Sequence, residues 1–142
     1  MRHNFNSVNV STIIFNQKGQ VLLGKRSMDE DVYPGLWCIP GGKIDVEPCE
    51  DGVIEKNLQR EVREEIGIEI EPVFYLTSNC LLNGDEAKLY LIFVSEHISG
   101  DPRALDGTEQ VKWFDIEELS HDMLTPRTFD NIHHASDRRI SL

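Results

Sequence analysis

Cysteine and positive charge are both scarce in this chain. Cys38, Cys49 and Cys80 are three in number, an odd count with no CxxC spacing. They read as free thiols in a reducing compartment, and nothing in the sequence pairs one of them with a base, so a cysteine nucleophile is not expected. Only 14 Lys and Arg stand against 25 Asp and Glu, which leaves a net charge of −11. A nucleic-acid backbone demands a basic face, so a polymer partner is excluded. A small phosphate substrate is not excluded, because a bound cation can offset its charge. No apolar run approaches the roughly 20 residues of a membrane span, and no charged-then-apolar leader is seen. The expected location is therefore cytoplasmic, with no membrane partner. Internal repeats and low-complexity segments are lacking, and no EF-hand loop supports a calcium-binding protein.

What is present suits one ordinary domain. A length of 142 residues, 39% hydrophobic and 27% charged, is enough for a real core. The most informative stretch is Arg60-Glu61-Val62-Arg63-Glu64-Glu65-Ile66-Gly67-Ile68. Ile54, Leu58, Val62 and Ile66 repeat every fourth residue and make one apolar stripe of a helix that Gly67 closes. Glu61, Glu64 and Glu65 stand at i, i+3 and i+4 and share a face. On a wheel of about 100° per residue, Glu65 falls inside the edge of the apolar stripe. Clustered carboxylates, one of them half-buried, repel each other and lose hydration, so a positive partner is required. Arg60 can take Glu64; the remainder points to a divalent cation with oxygen ligands, magnesium or manganese.

Pro40-Gly41-Gly42-Lys43 follows an apolar run, Leu36-Trp37-Cys38-Ile39, that reads as a strand. A Gly-Gly pair after a strand lets the backbone approach a ligand or metal closely. With these residues together the sequence resembles the Nudix hydrolases, whose box runs Gly, five residues, Glu, seven residues, then Arg-Glu-apolar-any-Glu-Glu-any-Gly-apolar. Arg60 to Ile68 matches its second half at every fixed position, and Pro40-Gly41-Gly42-Lys43 is similar to the usual lead-in. From Gly42 to Arg60 is 18 positions where the pattern needs 14, so four residues are extra. The middle glutamate, mainly a loop-fixing residue in the family, has no counterpart at its spacing; Glu47 or Glu50 is the expected replacement, in a longer loop around Asp45 to Asp51.

Along the chain, Val8, Val10, Thr12 and Ile14 alternate as a strand with one buried face, Asn16 to Gly19 turn, and Val21 to Leu23 return. Lys25 and Arg26 follow; Arg26 is favoured as a phosphate contact because arginine forks onto phosphate oxygens. Ser27 to Pro34 is an acidic loop. Pro72 resets the chain, Val73 to Leu82 and Lys88 to Val94 pair across an Asn83-Gly84 turn, and Glu109 to Phe114 is a last strand. Lys88 to Val94, apolar on both faces, belongs mid-sheet under helices. Asp115 to Leu119 reads as one helical turn with Glu118 completing a capping box. Thr125-Pro126 starts a final helix through about Ala135, and the tail from Ser136 is expected to be loose. His133 and His134 are adjacent and point apart on a helix, which argues against a shared metal site.

The element order fits an α/β fold, and the resemblance implies a Nudix-type α/β/α sandwich with a central mixed sheet, one domain over 1–142 with a core of about 8–135. It further implies a hydrolase that cleaves a diphosphate linked to another group, with Mg2+, or Mn2+, as cofactor. Glu61, Glu64, Glu65, the Gly41 carbonyl and a later acid, Glu109 first and Asp106 second, are then the metal ligands. Glu61 is the first choice of base, with Glu64 and Arg60 completing the catalytic group, Arg60 orienting a glutamate. Arg26, Gly42 and Lys43 are the expected substrate contacts, and Trp37 is mainly a packing residue. The expected partner is a small nucleotide; a homodimer is an allowed assembly. A nucleoside triphosphate, modified ones included, is the first choice: the chain has the minimal family size, no proline lies between Pro72 and Pro102 where the ADP-ribose branch usually has one, and the lead-in from Gly35 to Gly42 is similar to nucleotide-sanitising members. ADP-ribose or another nucleotide sugar is the alternative, as is a non-catalytic nucleotide sensor; the intact acid set favours an enzyme. Asn79, Leu124 and Phe129 are further pocket residues to consider.

Overall fold

The alternating residues of Ser7–Phe15 form strand β1, and the strand is buried on both faces. Val10 and Ile14 join one apolar cluster while Ile13 and Phe15 join the other, as the two-residue period of a strand dictates. The structure is a computed structural model that describes residues 4–141. β1 pairs antiparallel with β2 (Val21–Arg26) at Phe15↔Val21, after a turn in which the Asn16 carboxamide oxygen accepts from the Lys18 and Gln20 amides. β2 also carries β3 (Trp37–Cys38) and β7 (Thr108–Phe114), and β1 carries the short β4 (Gly41–Lys43). On its other side β1 runs parallel to β6 (Glu86–Ser99), from Ser7↔Lys88 to Phe15↔Glu96. β6 returns antiparallel from β5 (Glu69–Asn83), the sheet edge. The result is a seven-stranded mixed sheet of order β3-β2-β1-β6-β5, with β4 joined to β1 and β7 to β2.

Helix α1 (Val53–Ile66) covers one face with Leu58, Val62 and Ile66 against Val10, Ile14 and Leu22. Helix α2 (Thr128–Ser141) covers the other with Ile132 and Ala135 against Ile13, Phe15 and Leu23. Each fully buried Leu or Ile in these layers contributes about 1.5–3 kcal/mol of burial free energy. The expected α/β/α sandwich with a mixed sheet is therefore present. α1 ends as its sequence predicts: Gly67 stands at φ 76°, and its N–H reaches the Arg63 and Val62 carbonyls.

Several boundaries differ from expectation. β5 begins at Glu69 and runs through Pro72, which is tolerated because this is an edge strand with a register shift between Pro72 and Phe74. The capping-box turn exists as a 3-10 turn, Ile116–Glu118, in which the Glu118 carboxylate accepts the Asp115 N–H at 2.8 Å. α2 starts at Thr128 rather than at Thr125-Pro126, because the Thr125 N–H is bonded to the Trp37 carbonyl and holds that segment against β3. Residues 136–141 are helical, not loose, and Leu142 lies outside the described residues. Arg139 explains this: its guanidinium bonds the Glu96 carboxylate at 2.9 and 3.3 Å and lies over the Phe15 ring, while Arg138 lies over Phe74. Among the described residues no helix is long and apolar enough to cross a membrane.

Candidate functional site

Two adjacent glycines bring the sheet and α1 together. A Cβ on Gly41 would stand 2.2 Å from the Val10 carbonyl oxygen and 2.6 Å from Ser11 Cα, so only glycine lets β4 lie on β1. A Cβ on Gly42 would stand 2.6 Å from the Glu61 carboxyl group. The Gly41 N–H donates to Glu65 Oε2 at 3.1 Å. The strand after Pro40 thus rests directly on the acidic face of α1, which the spacing of Glu61, Glu64 and Glu65 had drawn from sequence.

The acids are not equivalent. The Glu61 side chain is 19% exposed and faces Arg60, whose Nη2 lies 3.4 Å from Glu61 Oε1. Glu64 is 54% exposed and pairs more loosely with Arg60, at 3.8 Å. Glu65 is half-buried. Its desolvation pushes the carboxyl up to about 8; the Gly41 N–H opposes this, and the charges of Glu61, Asp106 and Glu64 add to it. Among the described residues no three Asp, Glu, His or Cys side chains already converge as a cage. The donor chemistry nevertheless fits a hard divalent cation, since oxygen ligands and the charges of several carboxylates meet at Glu65 and no Lys or Arg among the described residues forms an ion pair with its carboxyl. Glu61, Glu64, Glu65 and the Gly41 carbonyl are the groups that would hold it.

A cleft of about 480 Å³ opens beside Gly41 and Glu65, a size ordinary for a small-molecule site, and Arg60, Glu61 and Glu64 do not line it. Gly41, Gly42, Glu65 and Asp106 line it. Tyr90, Thr125, Asn79 and Asn131 line it too, the last two joined by an amide hydrogen bond of 2.9 Å. Arg26 lies on the wall, its Nε donating to the Val32 carbonyl and its Nη2 3.5 Å from Glu30. Cys38 also lines the cleft; burial pushes its thiol up to about 11, against the pull of Arg26. Lys43 is exposed and stands by a separate shallow hollow with Asn9 and Lys88 rather than in the cleft. Glu109, the first choice of later acid, is exposed on β7 beside its bulge and does not line the cleft, whereas Asp106, three residues earlier in the loop, does. Leu124 is a buried core residue, and Phe129 stacks between His121 and His133. The two adjacent histidines gather no metal set among the described residues.

The long loop before α1 is fixed by neither expected glutamate. Glu50 makes an exposed ion pair with Lys56, and Glu47 contributes its backbone carbonyl. Asn57, fully buried on α1, holds the loop instead, through bonds to Asp45, Glu47 and Val53. Its signal was present in the sequence: an asparagine, a weak helix former, three residues after Ile54 on the apolar side of the helix. Asn131 carried no such signal, because its partner Asn79 is 52 residues away.

Comparison with known proteins places this geometry. The sequence model of the NUDIX domain matches residues 6–135. Among curated proteins, the nucleoside triphosphatase NudI of Escherichia coli strain K12 is 31% identical over 119 residues, 76% of this chain and 82% of that protein. The 8-oxo-dGDP phosphatase NUDT18 of Danio rerio is 33% identical over 126 residues, 82% of this chain but only 35% of that protein. Among solved structures, a MutT NUDIX hydrolase from Burkholderia pseudomallei superposes with a TM-score of 0.75 at 28% identity, covering 90% of this chain and 96% of that one. The chain belongs to the NUDIX family of hydrolases.

Proposed function

We propose that this chain is a divalent-cation-dependent pyrophosphohydrolase of nucleoside triphosphates, modified ones included, releasing a monophosphate and diphosphate. The observation that carries the reading is the polarity of the cleft. Its lining joins the acids Glu65 and Asp106 and the two glycines to a paired Asn79 and Asn131 and to Tyr90. Anionic phosphates suit the acids only when a cation is bound there, and the amide pair suits the donor and acceptor edge of a base. The names of NudI and NUDT18 support a nucleotide substrate.

Glu61, Glu64, Glu65 and the Gly41 carbonyl would hold Mg2+ or Mn2+, and Asp106 rather than Glu109 would add the later acid. The bound cation would neutralise phosphate oxygens and make the phosphorus easier to attack. Glu61 takes the proton of the attacking water, the role that its position in the box supports. Arg60 bridges Glu61 and Glu64 and orients them without entering the cleft. Arg26 contacts phosphate oxygens from the wall, and the Gly42 backbone passes close to them.

A panel of canonical and oxidised nucleoside triphosphates, nucleotide sugars and dinucleoside polyphosphates, with magnesium and separate detection of diphosphate and monophosphate, tests the reading. Fast diphosphate release from a triphosphate is expected. Turnover confined to nucleotide sugars would overturn the substrate, and tight binding without turnover would overturn the enzyme.

A further inference from the structure

We infer that Asn57 is a positioning residue: it clamps the loop from Asp45 to Val53 onto α1 and aims Arg60 at Glu61, so that the acidic face is preset for a cation. The inference rests on the hydrolase reading above and adds a residue to it. It also supplies what the box lacks here, a group that fixes the lengthened loop.

Asn57 is 0% exposed inside a helix, where an unbonded carboxamide would be costly. Every part of the amide is used. Its nitrogen donates to the carbonyls of Val53 at 2.8 Å, Asp45 at 3.3 Å and Glu47 at 3.4 Å. Its oxygen accepts the Asp45 N–H and an Arg60 N–H, both at 2.9 Å. Leucine would fill the space but leave these loop groups unpaired, and aspartate would accept but not donate. The position therefore requires an amide.

The consequence for the site passes through Arg60. One face of its guanidinium is tied to the clamp, to Asn57 Oδ1 and to the Glu47 carbonyl at 3.4 Å. The same group reaches Glu61 at 3.4 Å and Glu64 at 3.8 Å. Held at those lengths, Arg60 orients the carboxylates without closing on them. Released from Asn57, it no longer holds Glu61 and Glu64 where a cation would need their oxygens. The clamped loop does not line the cleft, so nucleotide binding itself is not its concern.

The test is Asn57→Ala in the full chain, read by manganese binding without nucleotide, by thermal melting, and by kcat and KM for the best triphosphate at saturating magnesium. Outer groups that orient metal ligands are typically worth about 10–100-fold in metal affinity. Manganese affinity should fall by about tenfold and kcat should fall, while KM stays within about twofold. Arg60→Ala alone should reproduce the manganese loss with a smaller fall in melting temperature, and the double variant should lose no more affinity than Asn57→Ala. Asn57→Ser, whose hydroxyl can still bond the Val53 carbonyl, carries the same test if the alanine variant does not fold. A folded Asn57 variant with wild-type manganese affinity and kcat, melting lower only, would overturn the inference, as would additive losses in the double variant. Manganese binding needs no substrate, so a failure of the hydrolase reading would show separately, as a wild-type chain that turns over nothing.

Discussion

Gly41 and Gly42 are neighbours in one short strand, yet alanine at each should have opposite consequences. At Gly41 the new Cβ meets backbone, the Val10 carbonyl oxygen at 2.2 Å and Ser11 Cα at 2.6 Å, and neither can rotate away. Relief requires β4 to lift from β1, breaking the register Ser11↔Gly41 and Val10↔Gly42 and the Gly41 bond to Glu65. Overpacking of this kind costs about 3 kcal/mol, and for a domain of this size that lowers the melting temperature by roughly 10 °C. At Gly42 the atoms nearest the new Cβ all belong to the Glu61 carboxyl, 2.6 Å away, which is the end of a flexible side chain. Glu61 can swing out, so the melting temperature should move by no more than about 3 °C. Turnover should nevertheless fall by about 10²–10³-fold, the usual loss when one positioned catalytic group is removed. Thermal melts and diphosphate release on the two purified variants measure both effects. Wild-type turnover by Gly42→Ala would refute the place given to Glu61. A Gly41→Ala protein melting at the wild-type temperature would refute the packing of β4.

Two further outcomes follow from the same geometry. Magnesium at about 100 times its dissociation constant should stabilise the wild-type fold by about 2.7 kcal/mol, and Glu65→Gln, which keeps an acceptor for the Gly41 N–H, should fold but lose that gain together with most turnover; calorimetry with and without chelator checks this, and a full magnesium response in the variant would contradict it. Cys38, whose thiol is pushed up to about 11 by burial, is almost wholly protonated at pH 8, so iodoacetamide should modify the exposed Cys49 and Cys80 first and Cys38 only slowly or on unfolding; peptide mass mapping showing Cys38 labelled first would count against its placement.

The apolar stripe of α1, the shared face of Glu61, Glu64 and Glu65, and the stop at Gly67 were all legible in the chain, because each depends on spacing within one helix. Burial of β6 on both faces was legible in the same way, from the two-residue period of apolar side chains, whereas the alternation of Val8, Val10, Thr12 and Ile14 announced one buried face of β1 and the structure buries both. The Gly-Gly pair announced a close approach of backbone, though not what approached it. Other features needed the third dimension. Asp106 and Glu109 lie three positions apart, one in the loop before β7 and one on β7 beside its bulge, and only the folded chain shows that Asp106 is the one lining the cleft. The start of α2 was misplaced because the Thr125 amide is claimed by Trp37, 88 positions back, and its length because Arg139 finds Glu96 and Phe15 across the sheet. Asn57 stood in view as an oddity, but its partners in the loop are backbone groups, which carry no mark in a sequence. The chain by itself therefore determined the helices, strands and acids that local periodicity encodes. Tertiary structure alone decided which of those acids meet, which amides pair across the cleft and what holds the loop, because those contacts join residues whose distance along the chain bears no relation to their distance in space.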